Sequence, residues 1–283
     1  SALAAELLGT TEAELLAYKA ELGIQKKSIS AKYKASPIEL TIERTEKPVD
    51  TYNVVGFLEG TDKKEEVIAI TAHYDHIGIS VDGKINNGAN DDGSGTVTVM
   101  ELAEAFGKAA AEGKRPRRSI LFMTVTGEEK GLLGSEYYSN HPLFPLANTV
   151  CDLNIDMVGR RDVDHDGTPD YIYEIGSDKL SSSLRAVLED QNKKHTGLVL
   201  DYKYNDPNDP NRFYYRSDHY NFAKHGIPVA FFFNGVHDDY HMPGDDVEKI
   251  EFDQIQKVGR LVFYMAWEIS NREERLKVDS NKP

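Results

Sequence analysis

ITAHYDHIGISVDGKINNGANDDGSG, residues 70–95, is the stretch on which the reading of this chain turns. It continues an apolar run, Val67-Ile68-Ala69-Ile70, that predicts a buried strand. The run stops at His73-Tyr74-Asp75-His76 and a Gly/Asn/Asp-rich loop follows. Asn90-Asp91-Asp92-Gly93-Ser94-Gly95 then leads into Thr96-Val97-Thr98-Val99-Met100-Glu101-Leu102, the opening of a helical pattern. An imidazole thus sits at a strand end, and a carboxylate pair sits just before a helix. Both are ligand types that suit zinc. Asp75, two residues beyond His73, is placed to orient that imidazole. His76 lies past the ligand position and reads as a supporting or packing residue.

Three further segments end on polar groups in the same way. Leu121-Phe122-Met123-Thr124-Val125-Thr126 is an apolar strand that runs into Gly127-Glu128-Glu129. Leu153-Asn154-Ile155-Asp156 places an Asp at a third strand end, and Tyr240-His241-Met242-Pro243-Gly244-Asp245 puts a second His in a loop. Helical patterns run from Ser94 to Ala111, Lys179 to Lys194 and Glu251 to Ile269, and Pro228 to Phe233 reads as another buried strand. Strands alternating with helices predict an α/β fold, a three-layer α/β/α sandwich. Sheets of that kind gather their sites at strand C-termini, where these groups lie. Residues 1–23 carry a helical period that Thr10 or Thr11 can cap. Residues 24–50 are polar, with a β-like stretch at Ile38 to Ile42, and the main domain is expected over 51–283. Lys114 to Arg118 read as a basic loop.

Composition narrows the partners. A net charge of −14 and a pI near 5.1 argue against nucleic acid and against anionic membrane surfaces. No apolar run reaches membrane-span length. The single cysteine, Cys151, excludes an intrachain disulfide and is expected to be buried and inert.

In order, HxD at 73–75, DDGSG at 91–95, GEE at 127–129, the Asp of NIDMVGR at 154–160 and YHxPGD at 240–245 resemble the M28 family of zinc aminopeptidases. The resemblance spans roughly residues 50 to 270. It implies a mixed, mostly parallel sheet of the zinc-exopeptidase type, similar to the phosphorylase/hydrolase fold. It implies two zinc ions per chain, with His73 and Asp156 on one, Glu129 and His241 on the other, and Asp91 bridging. A hydroxide held between them would attack a peptide carbonyl, with Glu128 as general base. The Asp91–Asp92 peptide bond is cis in the family, and Tyr240 would donate to the developing oxyanion. Arg216-Ser217-Asp218-His219 matches a further family motif. Asp218 is expected to shape the site or the substrate's amine pocket, and His219 to be a structural residue at a helix start. Peptide substrates, a periplasmic or secreted location, and a remnant of a protease-associated insert near Lys27 to Pro48 follow by the same resemblance. The other histidines, His141, His165, His195, His225 and His237, fall outside the motifs and read as surface or structural.

A separate signal lies in Asp162, Asp164, Asp166 and Asp170, which resemble the start of a calcium loop. Its twelfth place is Tyr173, with Glu174 next, where such loops carry Glu; a polar Asp-rich turn is the plain alternative. Three rival functions share the fold. A glutaminyl cyclase would keep one zinc, and a receptor-like relative none. A carboxypeptidase or dipeptidase would want a basic pocket, for which Arg160, Arg161, Arg212 and Arg216 are candidates.

Overall fold

Alternation along residues 67–72 sends Ile68, Ile70 and Ala72 into one apolar cluster and Val67 and Ala69 into another. A strand buried on both faces needs a layer on each side. The computed structural model, which describes residues 2–25, 37, 39, 41–43, 48–167 and 170–280, supplies both layers. The chain divides into two units, Ser1–Asp50 and Thr51–Pro283.

The first unit holds helices α1 (Ala2–Leu7) and α2 (Glu12–Gln25). They are two helices because Gly9 takes a left-handed φ of 61° and ends the first. Thr11 then opens the second through a reciprocal cap. The Glu14 N–H donates to Thr11 Oγ1 at 3.3 Å, and the Thr11 N–H donates to Glu14 Oε2 at 3.1 Å. Of the β-like stretch at 38–42, Glu39, Thr41 and Ile42 are described and are not strand, while Ile38 and Leu40, and most of the expected insert remnant, lie outside the described residues.

The second unit begins with β1 (Val54–Leu58), β2 (Lys63–His73), the short β3 (Gly78–Ile79) and β4 (Ile85–Asn86), and α3 (Gly95–Ala111). β5 (Arg118–Val125), α4 (Leu133–Asn140), β6 (Thr149–Ile155), β7 (Tyr171–Ile175) and α5 (Ser182–His195) follow. β8 (Val199–Asp201), α6 (His219–Ala223), β9 (Val229–Phe233) and α7 (Phe252–Asn271) complete it. The main sheet has the order β1-β5-β2-β6-β9-β7-β8. β5, β2, β6 and β9 run parallel, as do β7 and β8. β1 is antiparallel to β5, and β7 to β9. Helices α3, α5 and α7 bring Phe106, Leu184, Leu188, Leu261 and Met265 onto one face, against Ile68, Ile70 and Ile120. Helices α4 and α6 bring Tyr138 and Phe222 onto the other, against Val67, Leu121 and Met123. The fold is the expected three-layer sandwich with a mixed, mostly parallel sheet.

Helix α5 starts later than its periodicity suggests, because Ser181 caps it: the Leu184 N–H donates to Ser181 Oγ at 3.1 Å. Arg118 is the first residue of β5 and fully buried, not part of a loop. It pairs with Glu66 at 2.6 Å and donates to the carbonyls of Ile269 and Arg272 at the end of α7. Cys151 is buried in β6, and burial pushes its thiol far above the usual range, so it is inert as expected.

Phe106 tests the packing of the larger helical layer. It is fully buried among Phe122, Phe263 and Trp267. Phe106→Ala is expected to cost about 3–5 kcal/mol of stability, read by urea unfolding, with the metal content of the folded protein unchanged.

Candidate metal centre

Parallel strands bring their C-terminal ends to one edge, and the sequence motifs meet there. His73 ends β2, Glu128 and Glu129 follow β5, Asp156 follows β6, and His241 lies in the loop after β9. Asp91 sits in the tight turn that enters α3, and its peptide bond to Asp92 is cis. The two carboxylate oxygens of Asp91 face different partners. Oδ1 lies 3.3 Å from His73 Nε2, which lies 3.7 Å from Asp156 Oδ1. Oδ2 lies 3.1 Å from His241 Nε2, which lies 3.2 Å from Glu129 Oε2. Tetrahedral zinc, with bonds of about 2.0–2.2 Å, separates its ligand atoms by about 3.3–3.5 Å. The donor set therefore fits a metal ion on each side of Asp91. Glu128 belongs to neither group; its nearer oxygen lies 4.0 Å from His73 Nε2, and it lines the cleft.

A second ring of carboxylates holds the loops. Asp92 accepts the N–H of His73 at 3.2 Å, of Gly95 at 2.9 Å and of Met157 at 3.1 Å, which joins β2, α3 and β6. Asp75 differs in detail from expectation. Its main-chain carbonyl accepts from His73 Nδ1 at 2.9 Å, which leaves Nε2 for a metal. Its carboxylate holds the GEE turn, accepting the N–H of Glu128 at 3.1 Å and of Glu129 at 3.4 Å. Two supports were not assigned from sequence. Asp245 is fully buried and accepts the N–H of Asn90 at 3.0 Å and of Asp91 at 3.1 Å. Ser217 donates to Asp156 Oδ2 at 2.7 Å. Both residues lie inside quoted motifs, but nothing local tells which remote backbone or carboxylate they reach.

The cluster is strongly anionic in effect. Burial opposes a charged His73, yet Asp156 and Asp91 raise it well above the usual imidazole range. Asp91 and Glu129 raise His241 to about 9. Burial alone would raise Asp91, but His241 and His73 hold it below the usual carboxylate range. A field that favours imidazolium is one that favours any cation.

The profile of peptidase family M28 matches residues 53–266. The chain belongs to peptidase family M28. It is 28% identical over 241 residues to aminopeptidase YwaD of Bacillus subtilis, covering 80% of this chain and 46% of that protein. A probable zinc metalloprotease of Leptosphaeria maculans is 28% identical over 261 residues, covering 79% and 58%. The crystal structure of BSAP, a zinc aminopeptidase from Bacillus subtilis, superposes with a TM-score of 0.61 at 26% identity, covering 81% of this chain and 52% of that one. This M28 chain thus spans about half the length of the curated relatives it matches.

Other expected residues fall in different places. Among the described residues, the aspartates of the calcium-like loop form no group of three or more that could hold a metal ion. Asp162 is taken by Tyr173 Oη at 2.7 Å and His165 Nδ1 at 2.9 Å. Asp164 pairs with Lys203, and Asp170 with Arg161 and Lys257, while Asp166 is exposed. Cations recruited from distant segments neutralise a pattern that looks ready for calcium when read locally. Asp218 is fully buried and accepts the Ser135 hydroxyl, so it ties α6 to α4 rather than lining the cleft. Burial pushes its carboxyl up to about 7. His219 stacks on Phe231 at 4.6 Å, a packing role. Of the four arginines, Arg216 lines the cleft and donates to Tyr240 Oη at 3.3 Å. Arg160 is held by Asp239, Arg161 by Asp170 and Glu251, and Arg212 lies over Tyr215.

Ligation requires neutral imidazoles, so protons compete with metal here. His241, raised to about 9, carries a proton at neutral pH until metal displaces it. Zinc added to metal-free protein at about pH 7.5 is expected to release at least one proton per chain. Apparent affinity should fall as pH drops below about 9. Calorimetry in buffers of different ionisation enthalpy measures this, and uptake without proton release would contradict it.

Proposed function

We propose that this M28 chain is a two-zinc aminopeptidase that removes N-terminal residues from peptides. The observation that supports it best is Asp91, whose two oxygens each face an imidazole–carboxylate pair. Its relatives carry the names zinc metalloprotease and aminopeptidase. Zinc in the two positions would supply Lewis acidity toward a peptide carbonyl and a reactive water near neutral pH.

The chain's own groups do the remaining work. Glu128 stands off both ligand groups and takes the proton from water, then passes it to the leaving amine. Burial pushes its carboxyl up to about 9, with Asp156, Asp218 and Glu129 adding to the effect against His73. With metal held by His73, Asp156, Asp91, Glu129 and His241, the field at Glu128 would change sign and its carboxylate form would be favoured. Tyr240 is held protonated, because burial and the nearby Asp91 raise its phenol far above the usual range. It therefore faces the cleft as a donor for the carbonyl oxygen. Met157, Phe213, Phe231 and Phe233 form an apolar wall for the first side chain, while Glu128 and Asp156 offer negative charge to a cationic α-amino group. Arg216 on the same cleft keeps a second reading in play, recognition of a substrate carboxylate by a carboxypeptidase or dipeptidase.

Glu128→Gln is expected to bind two zinc ions and lose about 10²- to 10⁴-fold in kcat. Glu129→Gln should lose metal from one position instead. Exchanged phenotypes would reverse the assignment of these neighbours.

Aminoacyl anilides with a free amine are expected to exceed their N-acetyl forms by at least about 10²-fold in kcat/KM, because the cap removes the charge and adds bulk. Equal rates would refute the aminopeptidase reading. Preference for a blocked substrate with a free C-terminal carboxylate would instead favour the reading that rests on Arg216.

A further inference from the structure

The motifs leave His76, a buried imidazole at this edge, without a task. Its side chain is only 9% exposed, and both ring nitrogens are buried without a hydrogen-bond partner. Nδ1 lies 3.0 Å from Glu129 Oε1 and 3.8 Å from Asp91 Oδ2. Glu129 Oε1 is itself buried and lacks a hydrogen bond. Two polar atoms 3.0 Å apart, neither in hydrogen-bond geometry with the other, are arranged like neighbours around a shared point. His241 approaches the same two carboxylates from the other side, through Nε2. The two rings stand edge to face with centroids 5.7 Å apart.

We propose that His76 is a ligand of the metal position formed by Asp91, Glu129 and His241, bound through Nδ1. The proposal rests on the two-position reading above. The separations of 3.0 and 3.8 Å suit neighbouring ligand atoms on one zinc, which would be five-coordinate once the water of the proposed function is added to its four protein ligands. The ring is also held in place. Gly88 takes a left-handed φ of 65°, and a Cβ there would stand 2.6 Å from His76 Cγ, so only glycine lets the loop close over the imidazole. The two positions are then chemically unlike. One has His73 with Asp156 and Asp91; the other has two imidazoles with Glu129 and Asp91. The second should hold a late divalent metal more firmly and fill first. His241 is 36% exposed at its side chain, so the buried His76 is the steadier of its two imidazoles.

Cobalt(II) tests this without relying on activity. In the wild-type chain loaded with Co²⁺, paramagnetic proton NMR should give three exchangeable imidazole N–H signals, from His73, His76 and His241. His76→Ala should lose one signal, change the visible absorption of the cobalt, and weaken the second position at least about 10-fold while leaving the first unchanged. Two imidazole signals in the wild type would overturn the assignment whether or not the variant folds. An unchanged cobalt spectrum and affinity in a folded His76→Ala would do the same. Fewer than two Co²⁺ bound by the wild type would overturn the two-position reading as well, a result distinct from two ions with two imidazole signals.

Discussion

Acidic groups crowd the carboxyl edge of this sheet, and the structure depends on giving each one something other than another carboxylate to face. Most of that is done by main-chain N–H groups. Asp92 takes those of His73, Gly95 and Met157; Asp245 takes those of Asn90 and Asp91; Asp75 takes those of Glu128 and Glu129. Charge-assisted bonds of this kind are stronger than neutral ones. Each also fixes a loop that carries a group pointing into the cleft. Burial and the charge of Asp156 raise the Asp92 carboxyl above the usual carboxylate range.

The acids consequently fall into two sets. Asp75, Asp92 and Asp245 spend their lone pairs on backbone and serve as rivets. Asp91, Glu128, Glu129 and Asp156 keep oxygens directed at imidazoles or at the cleft. Adjacent residues divide between the sets: Asp91 faces the imidazoles while Asp92 turns inward. A tight turn makes this possible, because neighbouring side chains leave it in different directions.

What was legible in the sequence follows from the same division. His73, Glu128, Glu129 and Asp156 each end an apolar strand, so a local pattern marks both their secondary structure and their edge of the sheet. The three-layer fold was equally legible, since helices and strands alternate with clear periods. The partners of Asp245, Ser217 and Arg118 were not, because they lie far away in sequence: Asn90, Asp156 and Ile269. The calcium-like loop shows the converse. DVDHDG is a local pattern, and Lys203 reaches its Asp164, and Lys257 the following Asp170, only in the folded chain. Gly9 and Ser181 shifted helix boundaries through single-residue effects that a hydrophobic period does not register.

The distribution of charge across the sheet has one further cause. In a parallel α/β unit, a helix that follows a strand starts at that strand's carboxyl end and finishes at the amino end of the next. Helices α3, α4 and α7, which follow the parallel strands β2, β5 and β9, therefore start at the carboxyl edge with their unpaired N–H groups and positive end of the dipole, whereas α5, which follows the antiparallel β7, starts at the other. Asp92 sits at the start of α3 and accepts the Gly95 N–H there. Asp218 sits at the start of α6. At the opposite edge the buried Arg118 donates to carbonyls at the end of α7. The carboxylates that face the imidazoles lie at the edge where the parallel strands deliver their loops.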